Sequence, residues 1–198
     1  MLPAETILAV FPSAAKVGET LILRPPTLYH AVALDTIGVD VTGVVDAASV
    51  WGAAYLLTLT AEEVRLFMER GKDNLPAMQA WVENRDESIA ELIDAVNALF
   101  AQSRSTFVPG KRKDGKKSFM PEGFGWPLEM GEALAHEYAV SFDEAMKTPL
   151  VRAFALMACC RVRNNGENGG PDYFGRIMLR GIRTGLSQIV KEVGSKEA

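Results

Sequence analysis

Four groups of residues have types and spacings that could do chemistry. Gly110 to Lys117, GKRKDGKK, nearly spells the phosphate-binding pattern G-x-x-x-x-G-K-[ST]. In that pattern backbone amides cradle the phosphates, the lysine reaches the terminal ones, and a hydroxyl ligates magnesium. Here Lys117 stands where the hydroxyl is needed, no apolar strand leads into the loop, and SFMPEGFGWP does not follow it as a helix. The stretch reads as a solvated basic loop. His136-Glu137 opens like the zinc-protease pattern H-E-x-x-H, in which two histidines one turn apart hold the metal. Val140 occupies the second position. Cys159 and Cys160 are adjacent, and neither His30 nor His136 stands at ligand spacing to them. Neighbours on a helix point about 100° apart, which strains a disulfide between them, so the pair reads as small buried side chains. The acidic pairs Glu62-Glu63 and Asp143-Glu144 are close enough for acid–base work. Each falls in the first turn of an expected helix, where carboxylates complement the helix dipole. There is no G-x-S-x-G and no C-x-x-C, and Gly166, Gly169, Gly170 and Gly175 do not make G-x-G-x-x-G. The expectation is a protein that is not an enzyme and uses no cofactor and no metal. The rival is an enzyme with a site assembled from His136, Glu137, Tyr138 and Arg161, whose signature would be a pocket on which they converge.

Composition narrows the classes further. The 198 residues suffice for one domain with a sizeable core or for two small ones. A formal net charge of −4 predicts no general attraction to nucleic acid or acidic membranes. The basic cluster Lys111, Arg112, Lys113, Lys116 and Lys117 has no interleaved aromatic residue for base stacking, so no specific nucleic acid partner is expected. No uncharged apolar run approaches the ~18 residues of a membrane span. No basic residue precedes Lys16 and no long apolar run opens the chain, which reads against a signal peptide. Two cysteines without a disulfide framework suit a reducing, cytoplasmic setting.

The elements that would position these groups are mostly helices. TILAV, 6–10, and ETLILR, 19–24, read as a hairpin joined by FPSAAKVG. Pro25 and Pro26 end the strand, Thr27 is an N-cap, and Gly38 a helix stop. Between them His30, Ala33, Leu34 and Ile37 share a helical face. Helices follow over 46–59, capped by Asp46, and over 60–71, where Thr60 and Glu63 have capping-box spacing. Another starts near Pro76 and runs to about Glu83. Ile89, Leu92, Ile93, Val96, Leu99 and Phe100 then form an apolar stripe.

Residues 104–125, rich in Gly, Pro and Lys, read as a flexible basic linker between a 1–103 unit and a 126–198 segment. The second segment begins with a helix from about Pro127 to Tyr138. Ser141 and Glu144 have capping-box spacing, and Thr148 with Pro149 starts a further helix. DYFGRIMLRGIRTGLSQIVKEVG reads as a last helix with a basic ridge of Arg176, Arg180 and Arg183. The fold class is therefore mainly α: a helical bundle with a small N-terminal β-hairpin, followed by a second small helical segment.

A hairpin, then LRPPTLYHAVALDTIG, then a bundle, resembles the N-terminal domain of tail assembly chaperones of long-tailed bacteriophages. Leu23, Arg24, Pro25, Pro26, Thr27 and Leu28 match an LRPLT-like segment of that family, with Pro26 where leucine is usual. The helices AASVWGAAYLL and TAEEVRLFMERG are similar to it too, and the resemblance covers roughly residues 5–103. Gly125-Trp126 and the helices after it resemble the C-terminal extension that a translational frameshift appends in many such phages. The resemblance implies a protein of the bacterial host's cytoplasm that binds the tape-measure protein and recruits tail-tube subunits. It leaves a homo-oligomer open, and a neck, connector or other virion-assembly protein is the alternative. Trp126, Tyr138, Phe142, Arg176, Arg180 and Arg183 are the candidate partner contacts, with a local core the competing role for the three aromatic residues.

Overall fold

The computed structural model describes residues 12–104 and 125–165, with side chains omitted at 158, 159 and 161–165. The chain is mainly helical with a small antiparallel hairpin. Strand β1, Ala15–Val17, pairs with β2, Leu21–Leu23, in the register Ala15↔Leu23, Lys16↔Ile22, Val17↔Leu21. Val17, Leu21 and Leu23 face inward, and Lys16 and Ile22 face out. The partner strand therefore lies inside the stretch read as a link. Gly18, at φ +56°, allows a three-residue turn directly before Leu21, and closing so short a loop costs less entropy than the longer one that pairing 6–10 would require. Residues 6–10 lie outside the described residues.

After β2 the Arg24 N–H donates to Leu57 O at 2.7 Å and its Nε to Thr58 O at 3.2 Å. Those carbonyls end helix α2, Val50–Thr58, where unpaired carbonyls and the dipole favour a cation. Pro25 and Pro26 then carry the chain to α1, Leu28–Thr36. Thr27 caps it, and Gly38 follows its C-cap at φ +77°. Every residue from Leu28 to Leu34 is buried. The expected face of His30, Ala33, Leu34 and Ile37 is thus only part of the contact, and Ile37 sits at the rim. An apolar all-round helix needs neighbours on all sides, and α1 has them.

The connector 39–45 buries Val39, Val41 and Val45 and is tied down at both ends of its turn. Val45 N–H donates to Asn97 Oδ1 at 2.9 Å, and Arg104 Nη1 donates to the carbonyls of Thr42 and Gly43 at 2.6 Å. Asp46 holds a turn rather than capping α2: its Oδ1 accepts from the N–H groups of Ala48 and Ser49, and the helix starts at Val50. Helix α3, Ala61–Arg70, has the expected Thr60–Glu63 capping box and ends at Gly71. Helix α4, Leu75–Glu83, has proline in its first turn and no buried residue. Helix α5, Ile89–Arg104, buries Leu92, Val96, Leu99 and Phe100.

Helix α6, Trp126–Tyr138, short α7, Phe142–Met146, and α8, Leu150–Asn165, complete the described chain. Ser141 and Glu144 form the expected box. Helix α8 starts one residue past the expected point. Pro149 O accepts the first helical bond, from Ala153, while Thr148 Oγ1 turns back to Glu144 O. Trp126, Met130, Leu134, Met146, Leu150 and Phe154 pack in one continuous core with Leu28, Leu34, Val96 and Phe100. The linker read at 104–125 thus separates stretches of chain that share a core. Of its span only Arg104, the last residue of α5, and Gly125 are described. Among the described residues no helix is long and apolar enough to cross a membrane.

Candidate functional site

Trp126 opens α6 and is 7% exposed, with its ring stacked on Phe154 at 5.6 Å and 19°. It fills the core. Tyr138 ends the same helix half-buried; its hydroxyl donates to Leu156 O at 3.3 Å and accepts from Cys160 Sγ at 3.5 Å. It ties α6 to α8. Phe142 is 44% exposed and starts the helix that folds back over Gly131. The three aromatic candidates do not converge on one surface. Arg176, Arg180 and Arg183 lie outside the described residues.

His136 and Glu137 do share an open hollow of about 390 Å³ with Glu129, Glu132, Ala133, Met157 and Cys160. Tyr138 is turned away into the α6–α8 contact, and Arg161 is described by its backbone alone. Three glutamates line the hollow beside one histidine and one cysteine. Among the described residues no group of three His, Cys, Asp or Glu side chains is arranged to hold a metal ion.

His30 has a different role from either one tested in the sequence. It is 1% exposed and stands third in α1, opposite its cap. Its Nε2 lies 3.2 Å from Leu59 O, an acceptor, so the neutral ring carries its proton there. Nδ1 then accepts the Thr27 N–H at 3.2 Å, and Thr27 Oγ1 lies 2.8 Å from it. The His30 N–H returns to Thr27 Oγ1 at 3.4 Å. Imidazole thus does the work that glutamate does in the boxes at Thr60 and Ser141. Burial pushes its pKa down to about 4. The only sequence signal was Thr27-x-x-His30, capping-box spacing with an unusual third residue.

A polar seam joins α1 and α3 to α7. Tyr29 hydroxyl donates to Asp143 Oδ1 at 2.9 Å. Lys147 Nζ bridges Asp143 Oδ2 at 2.6 Å and Glu62 Oε2 at 2.8 Å. Arg65 reaches Glu62 at 2.5 Å and also pairs with Glu69. Burial, then the bond to Asp143, pushes the Tyr29 hydroxyl up to about 12. The bonds to Asp143 and Glu62 hold Lys147 above the usual ammonium range. Lys147 and then Tyr29 hold Asp143 below the usual carboxylate range. Each acidic pair noted in the sequence is split: Glu63 and Glu144 cap their helices, while Glu62 and Asp143 face each other across the seam. Sequence spacing within one helix could not reveal partners 80 residues apart.

An aromatic face lies on α2, α3 and α4. Trp81 meets Trp51 edge-on at 6.3 Å and Tyr55 at 5.5 Å, Tyr55 meets Phe67 at 6.0 Å, and the Arg85 guanidinium lies 4.7 Å from the Trp81 ring centre. All four rings are only half-buried. A hollow of about 260 Å³ beside them is lined by Leu59, Leu66, Phe67 and Arg70 among others.

No family model matches the chain, and neither a curated protein nor a solved structure matches it significantly. The functional reading therefore rests on the residues themselves.

Proposed function

We propose that the protein is a phage tail assembly chaperone that binds the tape-measure protein and recruits tail-tube subunits during assembly. The observation that carries this reading is the joint at 23–28: a hairpin strand running through Arg24-Pro25-Pro26 into a capped helix buried from Leu28 to Leu34. That is the order of elements in which the sequence resembles the family's N-terminal domain. The aromatic face of Trp51, Tyr55, Phe67 and Trp81 supports it as a surface that would cover the apolar stripe of a long helical partner before assembly. Tethered recruitment of tube subunits would act by raising their local concentration around the tape measure.

The test is co-expression of the full chain with the longest coiled-coil reading frame encoded beside it. The partner should become soluble and co-purify, and Trp81→Ala should reduce the captured fraction without loss of helix by circular dichroism. If the full chain leaves the partner insoluble and uncaptured, the chaperone reading fails. Mass spectrometry of finished particles separates the alternative, because a chaperone departs whereas a neck or connector component stays.

A further inference from the structure

Two helix starts from distant parts of the chain meet at one point. Leu28, first in α1, donates its N–H to Thr148 O at 3.2 Å, and Leu150, first in α8, donates to Pro26 O at 2.8 Å. Thr27 and Pro149 face each other between these bonds as an antiparallel bridge. A helix start leaves its first N–H groups without helical partners, and here each start is served by the residue that precedes the other helix's cap. The backbone at Thr27, φ −101° and ψ 177°, presents Pro26 O and Leu28 N–H to α8.

That backbone is held from the other side by His30. Thr27 N–H can point at Nδ1 only while Nδ1 keeps its lone pair, and the proton on Nε2 is already committed to Leu59 O. A charged imidazole carries a proton on both nitrogens. Nδ1–H would then face Thr27 N–H, donor against donor, and could turn only to Thr27 Oγ1, 2.8 Å away, which leaves the Thr27 N–H without its acceptor in a site where His30 is 1% exposed. Among the described residues the charged ring has no counter-ion of its own. The end of β2 brings Arg24, whose charge opposes it. Helix α2 and its C-cap bring only the carbonyls of Leu56 and Leu59. Helix α3 brings Glu63, which is bonded to Thr60. Helix α7 brings Asp143 and Lys147, which meet Tyr29 rather than His30.

We propose that His30 is a proton-operated latch: charging its ring breaks the cap at Thr27 and opens the joint between α1 and α8 before the rest of the fold is lost. The sign follows from linkage. The folded ring takes its proton only near pH 4, against 6.5 for a free one. Acid therefore favours the opened joint between those values, and nothing changes above them.

The test uses the full chain carrying Trp51→Phe and Trp81→Phe, so that Trp126, stacked on Phe154 of α8, is the sole indole. Fluorescence and far-ultraviolet circular dichroism are followed together as pH falls from about 7 to about 4 at fixed ionic strength. The expected result is a red shift of Trp126 while the helical signal holds. His30→Asn, whose Oδ1 can take the place of Nδ1 but cannot be charged, should move that shift down by about one pH unit or more, a tenfold change in proton demand. The proposal is overturned if indole and helix signals fall together, or if His30→Asn keeps the parent midpoint. Should that variant not fold at neutral pH, an NMR titration of the two histidines in the otherwise native chain decides. His30 must take its proton together with the Trp126 change. A ring that stays neutral through the opening, or titrates as a free one does, sinks the idea.

Discussion

At the scale of single residues, three helix starts use the same device with different chemistry. Thr60 and Ser141 exchange bonds with Glu63 and Glu144, and Thr27 does so with His30. The first two were legible as threonine or serine three residues before glutamate. The third was not, because histidine at that position closes the box only when its ring is buried neutral with Nε2–H already engaged. An exposed box isolates the worth of the motif. Thr60→Ala should lower stability by about 1 kcal/mol, and Thr60→Ser should restore most of it, measured by urea unfolding. A loss no larger than that of an exposed control substitution on the same helix would mean the box is a geometric coincidence.

At the scale of elements, the helices follow their apolar spacing and caps, but their contacts depend on space. Gly131 lies mid-helix in α6, where glycine is costly. The cost is accepted because α7 crosses there: a Cβ would collide with Met146 Sδ and stand 3.2 Å from Phe142 Cε2. Propensity alone predicts that Gly131→Ala stabilises by about 1 kcal/mol. Packing predicts the opposite, a loss of about 1–3 kcal/mol from overfilling, since Met146 is fully buried. A thermal melt of the variant settles the sign, and a raised midpoint would show that the two helices are more loosely apposed. The hairpin carries the same lesson. The apolar run before the double proline marked β2 correctly, yet its partner is Ala15–Val17, across the short turn that Gly18 opens.

At the scale of the whole molecule, the sharing of one core across residues 104–125 changes what truncation should do. A chain ending at Arg104 lacks Trp126, Met130, Leu134, Met146, Leu150 and Phe154 from the common core. Each large apolar side chain buried there contributes roughly 1.5–3 kcal/mol. The truncated chain should bind a hydrophobic dye and unfold without a sharp transition. A chain ending before Asp172 keeps every buried residue of the described core. Sharp melting of the Arg104 truncation would restore the picture of an independent N-terminal unit.

What the sequence determined by itself was local: which stretches are helical, where caps and glycines stop them, that a strand precedes the double proline, and that no catalytic motif has complete spacing. These follow from interactions within a few residues, which sequence order records directly. The tertiary structure alone decided that α1 is buried on every side, that Trp126 belongs to the core, that Glu62 and Asp143 are bridged by Lys147, and that Pro26–Leu28 pairs with Thr148–Leu150. Those contacts join residues about 80 to 120 positions apart. Packing and partner geometry at that separation depend on how the helices fill space together, and no periodicity along the chain encodes it.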